Sequence, residues 1–212
     1  MPIIWSKKLG NNGELAVWHI SEVANDLYNK LQLNNAEKAF YDSLQSNKRN
    51  MHWLGSRVLL RTLLNTTEYI DCQLDGNNKP YLVNFPYEIS ISHSNDYAAV
   101  IICKDKAVGV DIEKMSDKIE RIAKRFLSEQ ELSFINIENR IKHLYVCWGI
   151  KETLFKLYGK GNLPFIDGIV IDKFEIKESG TATAHINLEN YKASYTIEYT
   201  SIGEYMLTWC VS

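Results

Sequence analysis

Trp148-Gly149-Ile150-Lys151-Glu152-Thr153-Leu154-Phe155-Lys156 lies in a run, residues 143–158, that reads as one long helix. Trp148, Glu152 and Lys156 stand at i, i+4 and i+8 and share one face; Lys151 and Phe155 share an adjacent one. Gly159-Lys160-Gly161-Asn162-Leu163-Pro164 ends the helix. Upstream, Gly109-Val110-Asp111-Ile112-Glu113 closes an apolar run that reads as a strand. Strand side chains alternate, so Asp111 and Glu113 point one way while Val110 and Ile112 point into the core. A strand end and a long helix, each with ionisable residues on one face, predict an α+β protein whose chemistry sits on these two elements.

Residues 97–103, the turn Lys104-Asp105-Lys106 and residues 107–112 read together as a hairpin. Before it come a strand at 15–20, an amphipathic helix at 23–31, and a helix capped by Asn34 with Glu37. Residues 51–64 form a helix apolar around much of its circumference, with a basic side from Lys48, Arg49, Arg57 and Arg61. Ile89-Ser90-Ile91-Ser92 is a strand, followed by a polar loop, His93-Ser94-Asn95-Asp96. After Glu113, apolar residues at 119–127 repeat at helical spacing, and Ser128 with Glu131 caps a new helix. The tail, 169–171, 181–186, 194–199 and 205–211, suits a closing antiparallel sheet. Each half thus offers strands and one long buried helix. The break near residue 105 gives two lobes, 1–105 and 106–212.

The 212 residues suffice for one large or two small domains, and 45% hydrophobic with 24% charged content is ordinary for a globular protein. A net charge of −2 supplies no global field to recruit nucleic acid. No run approaches the roughly 18 apolar residues of a membrane span, and the first residues hold no signal-peptide core. The four cysteines lack CxxC spacing, which argues against a zinc site or disulfide framework and for buried thiols in a reducing cytoplasm.

Two carboxylates on one strand face repel unless a cation sits between them or one is protonated. Asp111 and Glu113 suit a hard divalent cation such as magnesium; taken alone they equally suit an exposed strand end. Glu152 can serve as third ligand or general base, and Lys156 as a phosphate ligand; taken alone they are an ordinary helix pair. Together the four suit displacement at phosphorus or transfer from a diphosphate. Ser92, His93 and Ser94 form either a polar turn or, beside Lys79, Lys48 and Arg49, a second phosphate site.

These stretches resemble the signature of the 4′-phosphopantetheinyl transferases, G-[IV]-D-[IV]-E followed by W-[SATG]-x-K-E-[ASTG]-x-x-K. Three further stretches are similar in order: Asn78-Lys79-Pro80 for the usual G-K-P, residues 89–94 for N-[IL]-S-H-[ST], and residues 122–131 for A-x-R-[FV]-[FL]-x-x-x-E. The length resembles the Sfp-type, surfactin-synthetase-activating branch. That resemblance implies a monomeric pseudo-dimer of two similar lobes, each a small, mostly antiparallel sheet on a long helix, with the active site between them. It implies transfer of the 4′-phosphopantetheine arm of coenzyme A to a serine of an apo acyl or peptidyl carrier protein, releasing adenosine 3′,5′-bisphosphate, in fatty-acid or secondary-metabolite synthesis. Asp111, Glu113 and Glu152 would hold Mg2+, with Glu152 also the base. Lys156 would grip the diphosphate and Lys151 steady the carboxylates. Ser92 and His93 would bind the 3′-phosphate, with Lys79 at the adenine end; Lys48, Arg49, His52 and Arg57 are candidates beside them. An acidic carrier would meet Arg121, Lys124, Arg125 and Phe126, although Phe126 equally suits the core. Two other classes stay open: a different metal-dependent diphosphate-cleaving enzyme, and an idle relative that binds coenzyme A or carriers. Asn78 for glycine and Gly149 for the commoner serine are the departures.

Overall fold

The structure, a computed structural model, describes residues 3–212. Residues 1–2, which open the first expected lobe and the stretch read for a signal segment, lie outside the described residues. The chain divides into two compact units, one ending at Lys106 and one spanning Ala107–Ser212.

The N-terminal unit runs β1 (Ile3–Leu9), β2 (Gly13–His19), α1 (Ala24–Tyr28), α2 (Asn35–Ser43), α3 (Asn47–Leu64), β3 (Cys72–Leu74), β4 (Pro80–Leu82), β5 (Glu88–Ser94) and β6 (Tyr97–Cys103). Its main sheet has the order β1-β2-β6-β5, and β3 pairs with β4. All these pairings are antiparallel. Burial holds α3: Leu54, Val58, Leu59 and Leu60 pack with Trp18, Ile89 and Val100 in one apolar cluster, each such side chain contributing about 1.5–3 kcal/mol. By contrast α2 buries no residue. Asn34 and Glu37 close its capping box, worth about 1 kcal/mol.

The C-terminal unit runs β7 (Val108–Lys114), α4 (Lys118–Phe126), α5 (Glu129–Ser133), α6 (Arg140–Tyr158), β8 (Ile169–Ile171), β9 (Ser179–Leu188), β10 (Tyr191–Ile202) and β11 (Tyr205–Val211). Its antiparallel sheet has the order β7-β11-β10-β9-β8, so the first strand of the unit pairs with the last. The helix α6 crosses β7 and β11. Leu144, Val146, Cys147, Ile150 and Leu154 are fully buried in its core. Gly159 takes the left-handed conformation (φ 66°) that stops the helix.

Three expectations are corrected. The hairpin across 104–106 does not form: β6 pairs with β2 and β5, and β7 with β11. Two apolar runs around a turn look alike whether the chain doubles back or moves to another sheet. The helix expected over 23–31 shrinks to α1, with only Leu27 buried and Val23 64% exposed; Asn25, Asp26 and Asn29 are poor helix formers. His93 and Ser94, expected in a loop, complete β5, and the turn is Asn95-Asp96, with Asn95 at φ 48°.

Candidate active site

Both strands flanking α6 lie close to it at points where side chains are small. A β-carbon on Gly109 of β7 would lie 2.1 Å from the Thr153 carbonyl oxygen of α6. That approach brings the polar face of α6 onto β7. Lys156 Nζ donates to Asp111 Oδ1 at 2.7 Å and to the Val110 carbonyl at 3.2 Å. Asp111 is 3% exposed, which sets it apart from a solvated strand end. Glu113 and Glu152 are half-buried. The Glu152 carboxyl is pushed up to about 7, first by burial and then by the negative charge of Asp111, with Glu113 adding and Lys156 opposing. Asp111, Glu113, Glu152 and Lys156 thus form one electrostatically linked group.

Among the described residues, no three His, Cys, Asp or Glu side chains converge closely enough to hold a metal ion as they stand. The donor chemistry nevertheless fits a hard dication. Three carboxylates could supply oxygen ligands, and the proton affinity of Glu152 is raised by burial and by a crowding of negative charge that a dication would relieve.

Lys151 stands elsewhere than expected. Successive helix residues are rotated by about 100°, so a helix that turns Glu152 towards β7 turns Lys151 into its own core. Lys151 is fully buried and donates to Glu131 at 2.8 Å and to the Phe165 and Ile169 carbonyls at 2.6 and 2.7 Å. Glu131 in turn accepts from the Ser128 and Ile171 amides. Lys151 therefore steadies Glu131, not the carboxylates of β7. The capping-box signal found Glu131 but gave no sign of this second partner.

The arginines of the N-terminal unit, Arg49, Arg57 and Arg61, all stand on α3, with Lys48 beside them. A cleft of about 380 Å3 is lined by Arg49, His52, Trp53 and Arg57 of α3 and by Ile91 and His93 of β5. The His52 and His93 rings stack at 4.2 Å. His52 Nε2 meets the Asn95 carbonyl, and Lys48 donates to Asn95 Oδ1 at 2.8 Å. Arg57 lies 3.8 Å over the Trp53 ring. Burial lowers its pKa, opposed by Cys72, Glu37 and Tyr69. Ser92 is buried and, by strand alternation, projects from the face of β5 opposite His93. The expected Ser92–His93 pair is therefore split. Pro80 lines the cleft, while Lys79 has its pKa lowered by burial, opposed by Glu88 and Asp75. Asn78 sits at φ 64°, a conformation in which glycine is at ease and asparagine is tolerated, which accounts for that departure. Trp53, which lies under Arg57 in this cleft, was read along the sequence only as part of an apolar helix. On α4, Arg121, Lys124 and Arg125 are exposed, but Phe126 is buried edge-on against Trp148 at 5.0 Å and belongs to the core.

Residues 107–210, nearly the whole C-terminal unit, match the sequence model of the 4′-phosphopantetheinyl transferase superfamily. The chain belongs to the 4′-phosphopantetheinyl transferase superfamily. It is 31% identical to a 4′-phosphopantetheinyl transferase of Bacillus subtilis, over 63% of this chain and 59% of that protein. It is 27% identical to the 4′-phosphopantetheinyl transferase gsp of Aneurinibacillus migulanus, over 72% of this chain and 68% of that protein. The 4′-phosphopantetheinyl transferase psf-1 of Bacillus pumilus is 29% identical over 68% of this chain and 61% of its own length. The chain thus spans roughly three-fifths to two-thirds of these superfamily members. No described helix is long and apolar enough to cross a membrane.

Proposed function

We propose that the protein transfers the 4′-phosphopantetheine arm of coenzyme A to a serine of an apo acyl or peptidyl carrier protein. The observation that carries this reading is the grouping of Glu152 with two carboxylates and a lysine that already reaches Asp111. A carboxylate positioned within reach of the attacking hydroxyl can act as a general base. Glu152 takes the serine hydroxyl proton, directly or through water. The serine oxygen attacks the phosphorus that carries the pantetheine arm. The P–O bond to the adenylate breaks, and adenosine 3′,5′-bisphosphate leaves with the electron pair. Lys156 moves from Asp111 to the diphosphate and offsets the charge that develops on the leaving oxygen. Asp111, Glu113 and Glu152 would hold Mg2+, which supplies positive charge to the diphosphate oxygens.

In the N-terminal unit, the basic and aromatic cleft of α3 and β5 suits the 3′-phosphate and the adenine, through Arg49, His52, Arg57 and His93. The exposed Arg121, Lys124 and Arg125 suit an acidic carrier. The reading extends to a monomer in the cytoplasm built as a pseudo-dimer; one long helix on an antiparallel sheet in each unit supports the likeness of the two lobes.

Incubation with coenzyme A, magnesium and a panel of apo carriers, followed by mass spectrometry, tests the reading. At least one carrier gains the mass of one phosphopantetheine arm, and chelation with EDTA stops the gain. Coenzyme A cleaved equally without a carrier would make the protein a hydrolase; coenzyme A bound but left intact would make it an idle relative.

A further inference from the structure

We propose that Thr208 is a positioning residue, and that its fit against Gly149 sets how closely the reactive turn of α6 approaches Asp111. The proposal rests on the transferase reading only for what the approach accomplishes. Thr208 is fully buried on β11, directly opposite Asp111 in the β7–β11 ladder. Its side chain fills the place a helix residue would otherwise need. A β-carbon on Gly149 would lie 2.6 Å from Thr208 Cγ2 and 2.7 Å from Oγ1, closer than non-bonded atoms come. One turn on, the Thr153 hydroxyl meets Thr208 Oγ1 at 2.7 Å and the Thr208 carbonyl at 3.3 Å. Thr153 is also fully buried. Gly149 and Thr153 share one face of the helix at i and i+4. Glu152 projects from the turn that they bracket, and Lys156 follows three residues after Thr153. Thr208 therefore touches α6 at both ends of the turn that carries the base, and on its own sheet it adjoins the carboxylate which that turn must reach.

The arrangement fixes separation more tightly than an apolar contact would. Threonine is branched at Cβ and stiff at χ1, so it yields little to a helix pressed upon it. The hydroxyl pair locks its rotamer and the rotation of the helix together. A glycine in the interior of a helix is otherwise a liability, since alanine is the better helix former. Propensity alone predicts that Gly149→Ala stabilises the protein; the contact with Thr208 predicts the opposite. A misplacement of about 1 Å at reacting groups costs on the order of a hundredfold in rate.

The test is a cycle of Gly149→Ala, Thr208→Ala and the double variant. Removing both Thr208 branches leaves its Cβ 3.3 Å from the added carbon, a distance that small shifts absorb. Gly149→Ala is expected to lower kcat at least about tenfold, with KM for coenzyme A within about twofold. Adding Thr208→Ala restores kcat to within about threefold of wild type, although it removes a further buried group. A purely structural role makes the double variant worse than either single one. Should Gly149→Ala fail to fold, the double variant is expected to fold, by circular dichroism, and its failure overturns the proposal. Folded variants without rescue overturn it as well. A nuclear Overhauser contact between the Thr208 methyl and the Gly149 α-protons is expected in the wild-type protein whether or not any carrier is modified. Absence of that contact sinks the positioning inference, whereas its presence in a protein that modifies no carrier sinks only the transferase reading.

Discussion

The helices α3 and α6 are close counterparts whose polar sides meet groups of opposite charge. Each is the long helix of its unit, 18 residues against 19, and each lies on an antiparallel sheet with apolar residues on most of its circumference. The polar side of α3 opens on a cleft with Arg49, His52 and Arg57, joined by His93 from β5. The polar side of α6 carries Glu152 towards Asp111 and Glu113, with Lys156 as the single cation of that group. Burial on the apolar faces builds both scaffolds. A few polar positions at the edge of each core then decide whether the unit collects anions or concentrates carboxylates. The difference teaches that site chemistry is separable from the core that holds it, except where a charged residue enters the core, as Lys151 does.

Three substitutions, one of them measured in two ways, break or sharpen this contrast. The largest effect is expected from Glu152→Gln, which lowers transfer by about 10²–10⁴-fold as a general base is removed. Coenzyme A affinity, measured by calorimetry, stays within about threefold, because the basic cleft of α3 is untouched. Next is Lys151→Met. It strands Glu131 as a buried, uncompensated charge and costs about 3–5 kcal/mol of stability in a urea melt. A loss of only a few tenths of a kcal/mol would mean that Lys151 acts at the surface.

The pH dependence gives a third outcome. Burial favours the protonated form of Glu152. The stability that the neutral carboxyl contributes is complete below its ordinary value of 4.5 and is lost as pH rises through about 7. A glutamine stays neutral, so without magnesium Glu152→Gln should be more stable than wild type at pH 8, by about 1–3 kcal/mol in a urea melt. At pH 4 the two should melt alike. The smallest change is expected from Arg49→Ala, about a tenfold rise in KM for coenzyme A with kcat kept. With 3′-dephospho-coenzyme A the same substitution should make little difference; an equal effect on both would remove Arg49 from the phosphate site.

Much of this was legible along the chain. Asn34 with Glu37 and Ser128 with Glu131 close the capping boxes that their spacing announces. The strands of the tail fall where apolar residues alternate, and Gly159 stops α6. The grouping of Asp111 and Glu113 with Glu152 and Lys156 needed the two short motifs and their resemblance to a family, because neither motif differs locally from a strand end or a solvated helix. The opposite facing of Ser92 and His93 was hidden because their strand was ended two residues early.

Sequence by itself determined the long helices, most of the longer strands and the faces on which the ionisable residues of α6 and β7 stand, because helical and strand periods, caps and turns act over a few residues. Tertiary structure alone decided the partners. It separated β6 from β7 into different sheets, gave Lys151 to Glu131, buried Asp111 against Lys156 and seated Gly149 on Thr208. Each of those outcomes depends on which distant surface a face meets, and on distances of an ångström or two that no local period encodes.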